Sequence, residues 1–306
     1  MPPEPLRTGS DTPPLVTVAM PVFNAGRHLR PAVISIILQT FTDWELLVID
    51  DGSSDGAVDD ILDLDDARIR ILRDGSNRGL AARLNEAIDL ARGHYFARMD
   101  QDDISYPERL ARQVDMLEQS PALDLCAVRC AAINFENELV GALPYALMHD
   151  EICAAPWRGL YLVHPSWMGR IEWFRQHRYA KPGPYFCEDQ ELLLRSYRKS
   201  RFATVPEILF AYRVRSRIAW GKTFRTRKTI LGIQLRKIFG MGQWHYGALA
   251  TMVFVARVAM DLSNLLIQKL WGTDFLGFRI AAVGVTERSQ WSAVLEAIML
   301  QEDKKS

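Results

Sequence analysis

Tyr95-Phe96-Ala97-Arg98-Met99 runs directly into Asp100-Gln101-Asp102-Asp103. The first five residues read as a short strand, with the acidic run immediately behind its carboxyl end. Adjacent carboxylates repel one another unless they are solvated, hydrogen-bonded or neutralised by a cation. Mg²⁺ or Mn²⁺ is the usual neutraliser, since hard divalent ions prefer carboxylate oxygens. The competing reading is a solvated turn that caps the next helix, and the run alone does not separate the two. An aspartyl phosphatase would carry Thr or Val shortly after its Asp-x-Asp, whereas here Asp103-Ile104 follow.

Upstream of this run, strand and helix patterns alternate. Leu15 to Met20 is a short apolar run ending at Pro21, Glu45 to Ile49 is a second strand and Arg68 to Leu72 a third. Arg30 to Leu38 and Gly79 to Ala91 carry apolar residues at helical spacing, and Ser53, Ser54 or Asp55 predicts the cap of a further helix through Ile61. Strands joined by crossover helices predict an α/β fold, a mostly parallel sheet with helices on both faces. Ligands of such sheets bind outside the carboxyl ends of the strands. Asn24, Asp50 and Asp51, and Asp100 to Asp103 fall at those ends, so three segments are expected to meet at one edge.

Each cluster has a plainer alternative. Asp50 to Asp55 suits a ligand base or a well-capped helix start, and Arg78 suits a phosphate or an adjacent Asp, or is a solvated arginine. Glu188-Asp189 stands before a helix expected from Gln190 to Tyr197, where the helix dipole alone favours acids. His164-Pro165-Ser166-Trp167 is a candidate ligand or substrate wall, or a structural histidine. No P-loop is present and no G-x-G-x-x-G follows the first strand.

The bulk properties exclude some classes. The 306 residues carry zero formal net charge, so no global field points to nucleic acid. Cys126, Cys130, Cys153 and Cys187 form no C-x-x-C pair and read as reduced thiols of a cytoplasmic protein. No basic, apolar leader opens the chain, and residues 1–14 read as a disordered lead-in. No Asp or Glu occurs between Glu207 and Asp261, a stretch with ten Arg and Lys residues and apolar runs at Ile230 to Leu235 and Tyr246 to Ala256. The second run stops at Arg257, short of the ~20 residues of a membrane span. It predicts a basic amphipathic extension, with residues 213–270 suited to an anionic membrane surface. Its alternative is packing on the rest of the protein.

Seven segments together resemble the inverting glycosyltransferases of family 2, in that family's order. They are Val18 to Asn24, Gln39-Thr40-Phe41, Glu45 to Asp55, Asn77 to Leu80, Met99 to Asp103, His164-Pro165-Ser166 and Glu188-Asp189. The resemblance covers residues 15–215 and implies a GT-A fold with a nucleotide-sugar half (15–105) and an acceptor half (106–215). A mainly helical extension (216–306) lies beyond it. The resemblance also implies a nucleoside-diphosphate sugar donor, with uridine the favoured base, and a divalent cation. Carried over by position, Pro21, Val22 and Asn24 line the nucleoside pocket, Asp51 takes the base and Arg78 lies near it. Asp100 sits by the ribose and metal, Asp102 binds the metal, and Asp189 is the general base. His164, Trp167 and Glu188 form a wall beside donor and acceptor. The expected acceptor is a hydroxyl of a carbohydrate or lipid-linked molecule, in polysaccharide or glycolipid synthesis; its placement at the cytoplasmic membrane face rests on the basic, acid-free tail. Two departures stand out. Phe23 occupies a position where the family commonly has Tyr. Val214-Arg215-Ser216-Arg217 replaces a loop that often carries His, which leaves Arg213 and Arg215 to clamp the diphosphate. A sugar-nucleotide pyrophosphorylase would want a Gly-rich, basic loop after the first strand, which Pro21-Val22-Phe23-Asn24 is not. A non-enzymatic binding module is disfavoured by acids at all three sites.

Overall fold

The computed structural model describes residues 13–184, 186–214, 219–240, 242–271 and 280–303. Most of the expected lead-in and Arg215 lie outside them. The first part follows the expected alternation: β1 (Val16–Val22), α1 (Leu29–Ile37), β2 (Trp44–Asp50), β3 (Ile69–Arg73), α2 (Leu80–Leu90) and β4 (Tyr95–Arg98). These strands pair in parallel in the order β3-β2-β1-β4. Every residue of β1 and β2 is buried, as strands covered on both faces require. Pro21 is tolerated in this central strand because the ladder to β4 already ends where Met99 donates to the Ala19 carbonyl.

The helix expected from Ser53 to Ile61 does not form, and only a single 3-10 turn at Asp59–Ile61 is present. Its expected caps are engaged elsewhere. Ser53 Oγ accepts the Asn24 N–H at 3.1 Å and Asp55 Oδ2 the Gly26 N–H at 2.7 Å. Gly56, at φ +80°, breaks the run as well.

Beyond β4 the chain forms β5 (Ile104–Ser105), α3 (Arg109–Gln119), β6 (Leu125–Ile133), β7 (Leu139–Ala142) and α4 (His149–Ile152). β8 (Met168–Arg170), α5 (Ile171–Gln176), α6 (Glu188–Ser196) and β9 (Phe202–Arg213) follow. The sheet continues β4-β8-β6-β9-β5, with β7 on the outside of β6. This part is mixed rather than parallel: β8 is antiparallel to both neighbours, while β6 and β9 run parallel. β8 enters from a tight turn at His164–Ser166, with no crossover helix to bring it round in parallel.

Alternate residues of β1 and β2 feed two cores. Val18, Met20, Leu46 and Val48 face a core closed by α1 and α3; Ala19, Leu47 and Ile49 face one closed by α2, α5 and α6. The C-terminal region is helical: α7 (Trp220–Gly240), α8 (Trp244–Trp271) and α9 (Val285–Asp303). α9 returns to the first core through Trp291, Val294 and Ile298, and the Trp291 indole donates to the Asn137 carbonyl. α7 sends Ile233 into the second. The apolar stretch expected to end at Arg257 instead continues as one helix. Trp244–Leu270 has the length and composition to cross a membrane, so its apparent shortness is corrected. A lone charge interrupts an apolar run without ending a helix.

Candidate active site

The three strand ends meet through hydrogen bonds between their loops. Asn24, held at φ +49°, accepts the Ser54 N–H on its side-chain oxygen at 2.9 Å and donates its own N–H to Ser53. Asparagine is among the few non-glycine residues that adopt this left-handed geometry readily. Gln101 joins the β4 end to the same loop: its Nε2 donates to the Phe23 carbonyl at 3.0 Å, and its Oε1 accepts the Phe23 N–H at 2.6 Å. Pro21 and Val22 therefore line an edge whose shape is set by Asn24 on one side and Gln101 on the other. Gln39 clamps the chain that leaves the acidic run, donating to Ser105 Oγ at 3.2 Å and the Tyr106 carbonyl at 2.7 Å.

Asp51 is almost completely buried, and its carboxylate accepts three donors. These are the Arg78 N–H at 2.7 Å, the Gly79 N–H at 2.9 Å and Arg83 Nε at 2.8 Å. One oxygen lone pair remains for a ligand, since a carboxylate accepts about four bonds. The close approach that Gly52 permits is to the chain after β3, because a Cβ there would meet the Ser76 carbonyl carbon at 3.1 Å. Arg78 contributes its backbone to Asp51, while its guanidinium turns to Asp74 at 3.3 Å and Glu86 at 3.4 Å. Arg83, which sequence reasoning missed, is the buried cation of this network.

At the β4 end the acidic residues divide. Asp100 accepts Arg98 Nη2 at 2.6 Å. Asp103 is buried, with Oδ1 accepting the Arg213 N–H at 2.8 Å; burial, then the charges of Asp100 and Asp102, push its pKa well above the usual range. Asp102 offers its carbonyl to Arg213 Nε at 2.7 Å. Arg213 also reaches the Asn134 carbonyl and Asn137 Oδ1, so every guanidinium nitrogen has a protein acceptor and the side chain is 6 % exposed. This corrects the expectation that Arg213 clamps a diphosphate: it braces the acidic loop against the β6–β7 turn. Arg215 lies outside the described residues.

Glu188 and Asp189 form the first turn of α6 rather than preceding it, where unpaired N–H groups and the dipole favour acids. His164 is buried, with Nε2 2.8 Å from the Tyr179 hydroxyl and its ring against Trp167. Burial and then the Arg98 charge hold its pKa well below the ordinary value, so it is neutral and its 3.9 Å separation from Glu188 is no ion pair. Trp167 has no exposed surface and donates to the Leu162 carbonyl at 3.1 Å. It packs behind the His164 ring, with centroids 4.5 Å apart. Burial raises the Asp189 pKa; burial and then the Asp189 charge push Glu188 up to about 7, with Asp100 adding to the rise. α6 and the β4 end meet at the His164 turn, with Glu188 3.9 Å from His164 and the Arg98 N–H donating to the Trp167 carbonyl at 2.8 Å. Between them lies Arg98, 2 % exposed, with Nε and Nη1 lacking a protein partner among the described residues. An arginine inside an otherwise apolar strand was the available signal for it. Tyr179 had none.

The Glu188 shift has a measurable consequence. Between its ordinary 4.5 and about 7, the folded protein holds a proton that the unfolded chain has released. Stability contributed by Glu188 therefore falls as pH rises through that window. Urea unfolding from about pH 5 to about pH 8 is expected to show the decline, with a shallower slope in Glu188→Gln. An unchanged slope in the variant would remove Glu188 as its source.

Comparison with known proteins places this geometry. An uncharacterized glycosyltransferase of Haemophilus influenzae is 29% identical over 213 residues, 66% of each chain. A UDP-Glc:alpha-D-GlcNAc-diphosphoundecaprenol beta-1,3-glucosyltransferase of Escherichia coli, WfgD, is 37% identical over 103 residues, 35% of this chain and 41% of the relative. The chain thus spans less than two thirds of the length of these relatives. Among solved structures, S. aureus TarS 1-349 in complex with UDP-GlcNAc superposes with TM-score 0.61 at 14% identity, covering 92% of this chain and 80% of that one. The mannosyltransferase PcManGT from Pyrobaculum calidifontis, in complex with GDP-Man and Mn2+, superposes with TM-score 0.56 at 16% identity, over 96% and 88%. These likenesses establish the GT-A fold, a curled mixed sheet between helices with a helical C-terminal region. The family described as Glycosyl transferase family 2 matches residues 17–178. That match covers more than half of the 306 residues, and the chain is a member of glycosyltransferase family 2.

Proposed function

We propose that this glycosyltransferase moves a hexosyl group from a nucleoside-diphosphate sugar, with uridine the favoured base, to an acceptor hydroxyl in polysaccharide or glycolipid synthesis, inverting the anomeric carbon in a single displacement. One observation carries the reading: buried Arg98 bonds Asp100, just behind β4, at 2.6 Å and donates its N–H to the Trp167 carbonyl at 2.8 Å, at the turn whose His164 lies 3.9 Å from Glu188 of α6. A donor-side and an acceptor-side group thus share one cleft. Pro21, Val22 and Asn24 border the nucleoside, and the remaining lone pair of Asp51 takes a base N–H.

The donor set suits a hard divalent cation. Asp100 and Asp102 supply oxygen ligands only, and no group of three ligating side chains converges among the described residues. Mg²⁺ and Mn²⁺ sites shared with substrate phosphates need one or two carboxylates and no complete protein cage. When bound, such an ion offsets charge on the diphosphate leaving group. The chain's own residues do the rest. Asp189 takes the proton from the acceptor hydroxyl, and burial, by raising its pKa, makes it the stronger base. Arg98 holds Asp100 in place and offers its remaining N–H groups to sugar oxygens. Neutral His164, bonded to Tyr179, fixes the wall beside Glu188. The acceptor is a carbohydrate or lipid-linked hydroxyl met at the cytoplasmic face of a membrane, with contacts from residues 213–270.

A screen of nucleotide sugars with and without Mn²⁺ tests the donor reading. At ligand about 100-fold above its Kd, stabilisation of about 2.7 kcal/mol is expected, seen as a rise in Tm that excess chelator abolishes. Full transfer activity in chelator would overturn the metal assignment. NMR of the product anomer would overturn inversion if the donor configuration is retained.

A further inference from the structure

In the sequence, Arg257 and Asp261 break the apolar character of α8. In the fold, both turn inward. Asp261 is 5 % exposed and pairs with Arg227 of α7 at 2.9 Å, and Arg257 donates to the Arg158 carbonyl at 3.0 Å. Asn264 is buried on the same side. The outer face is left to Leu249, Met252, Val255, Leu262, Leu266 and Leu270, between 36 % and 67 % exposed. A surface helix ordinarily shows the reverse, with its apolar stripe turned to the core. The informative observation on a protein surface is a large contiguous apolar patch of this kind.

The surroundings of the patch indicate what covers it. Phe239 and Trp244 stack at the α7–α8 turn with ring centroids 4.8 Å apart, and Trp244 is 68 % exposed. Indole rings favour the boundary between hydrocarbon and water. Lys228 and Arg236 of the paired helix α7 and Lys269 of α8 are exposed, and neither helix presents an exposed acid. An apolar face on a helix pair whose exposed charges are all cationic complements a bilayer whose headgroups are anionic. A crossing orientation conflicts with the inner face. The Arg227–Asp261 pair and Arg257 would enter the hydrocarbon, or would have to leave the contacts they make with α7 and residues 156–158.

We propose that the outer face of α8, together with the exposed cations of α7, is a docking surface for an anionic lipid bilayer, into whose interface the helix sinks lengthwise without crossing. The same hairpin is tied to the helix that carries Asp189. Lys237 pairs with Glu191 at 3.1 Å, Cys187 Sγ contacts the Thr226 carbonyl at 3.7 Å, and Lys222 lies 4.1 Å over the Phe186 ring. Docking therefore holds α6 at a set height above the lipid surface, which suits an acceptor anchored in that bilayer. This last step alone rests on the proposed transfer reaction.

Co-sedimentation of the full chain with vesicles tests the docking without reading catalysis. Binding to phosphatidylglycerol–phosphatidylethanolamine vesicles and much weaker binding to phosphatidylcholine is expected. Leu262→Glu/Leu266→Glu should lower the partition by about tenfold or more while leaving the thermal melt in place, both positions being exposed, and Lys228→Glu/Arg236→Glu should weaken it several-fold. Equal partition of wild type and both variants, or no binding to either vesicle, would overturn the proposal. So would a dimer in light scattering that Leu266→Glu converts to a monomer, because a second copy would then cover the face. Retention of membrane-bound protein through alkaline carbonate extraction would show a crossing helix and overturn the in-plane orientation.

Discussion

Asp189→Asn is expected to lower sugar transfer by about 10²–10⁴-fold, the usual contribution of a positioned general base, while donor binding with Mn²⁺ stays near the wild-type value. The amide keeps the shape of the carboxyl and removes only its ability to take a proton. Little else in the fold depends on that group: its carboxyl accepts Gln190 Nε2 at 3.4 Å and N–H groups of its own helical turn, and Gln190 is held independently by Leu160 at 2.9 Å and 3.1 Å. Loss of turnover with an unchanged melt and unchanged calorimetric donor affinity would therefore read on the chemical step. Glu188→Gln is the control, since Glu188 shares the same turn and the same burial. Near-normal turnover in Asp189→Asn with loss in Glu188→Gln would move the base by one residue. Near-normal turnover in both would remove α6 from the chemistry.

Arg83→Met is expected to destabilise the protein by ~3–5 kcal/mol, the range found when one partner of a buried ion pair is removed. Arg83 is 1 % exposed and bonds Asp51 at 2.8 Å, Glu86 at 2.8 Å and Asp74 at 2.6 Å. The guanidinium holds the Asp74 carboxyl well below the usual carboxylate range. Asp74 thus contributes stability at neutral pH that is lost as pH falls toward that depressed value. Methionine fills a similar volume but leaves buried Asp51 without its cation, and Asp74 and Glu86 with only the more exposed Arg78, at 3.3 Å and 3.4 Å. Asp51 would be expected to shift as well, weakening nucleotide binding beyond the loss of fold stability. Urea unfolding at neutral pH measures the first effect and calorimetry below the transition the second. A cost under about 1 kcal/mol would mean that the acids reach solvent or protonate at little expense, and that the network is peripheral.

The first half of the fold was legible because its signals are local. Apolar strands of five to seven residues, helices with three-and-four spacing, and acids directly behind β2 and β4 can all be read from neighbours in the chain. The failures share a cause. Ser53 and Asp55 looked like helix caps because capping is judged from adjacent residues, yet their partners, Asn24 and Gly26, lie 29 residues away. Arg213 looked free to hold a phosphate because its four acceptors come from the acidic run and the β6–β7 turn. The antiparallel β8 was invisible because three residues carry too little pattern to announce a strand.

Residue order alone was enough to settle the α/β alternation, the family and the three acidic clusters, because periodicity and motif spacing are properties of the chain itself. Which acids face each other, and which arginine each one meets, depended on strand ends that are distant in sequence and adjacent in the sheet. The same division holds for α8. Its length and apolar content are written in the chain, but Arg257 and Asp261 make it look interrupted until packing turns them both inward. A charge's neighbours in space, rather than its neighbours in sequence, determine whether it is solvated, paired or left as the edge of an apolar face.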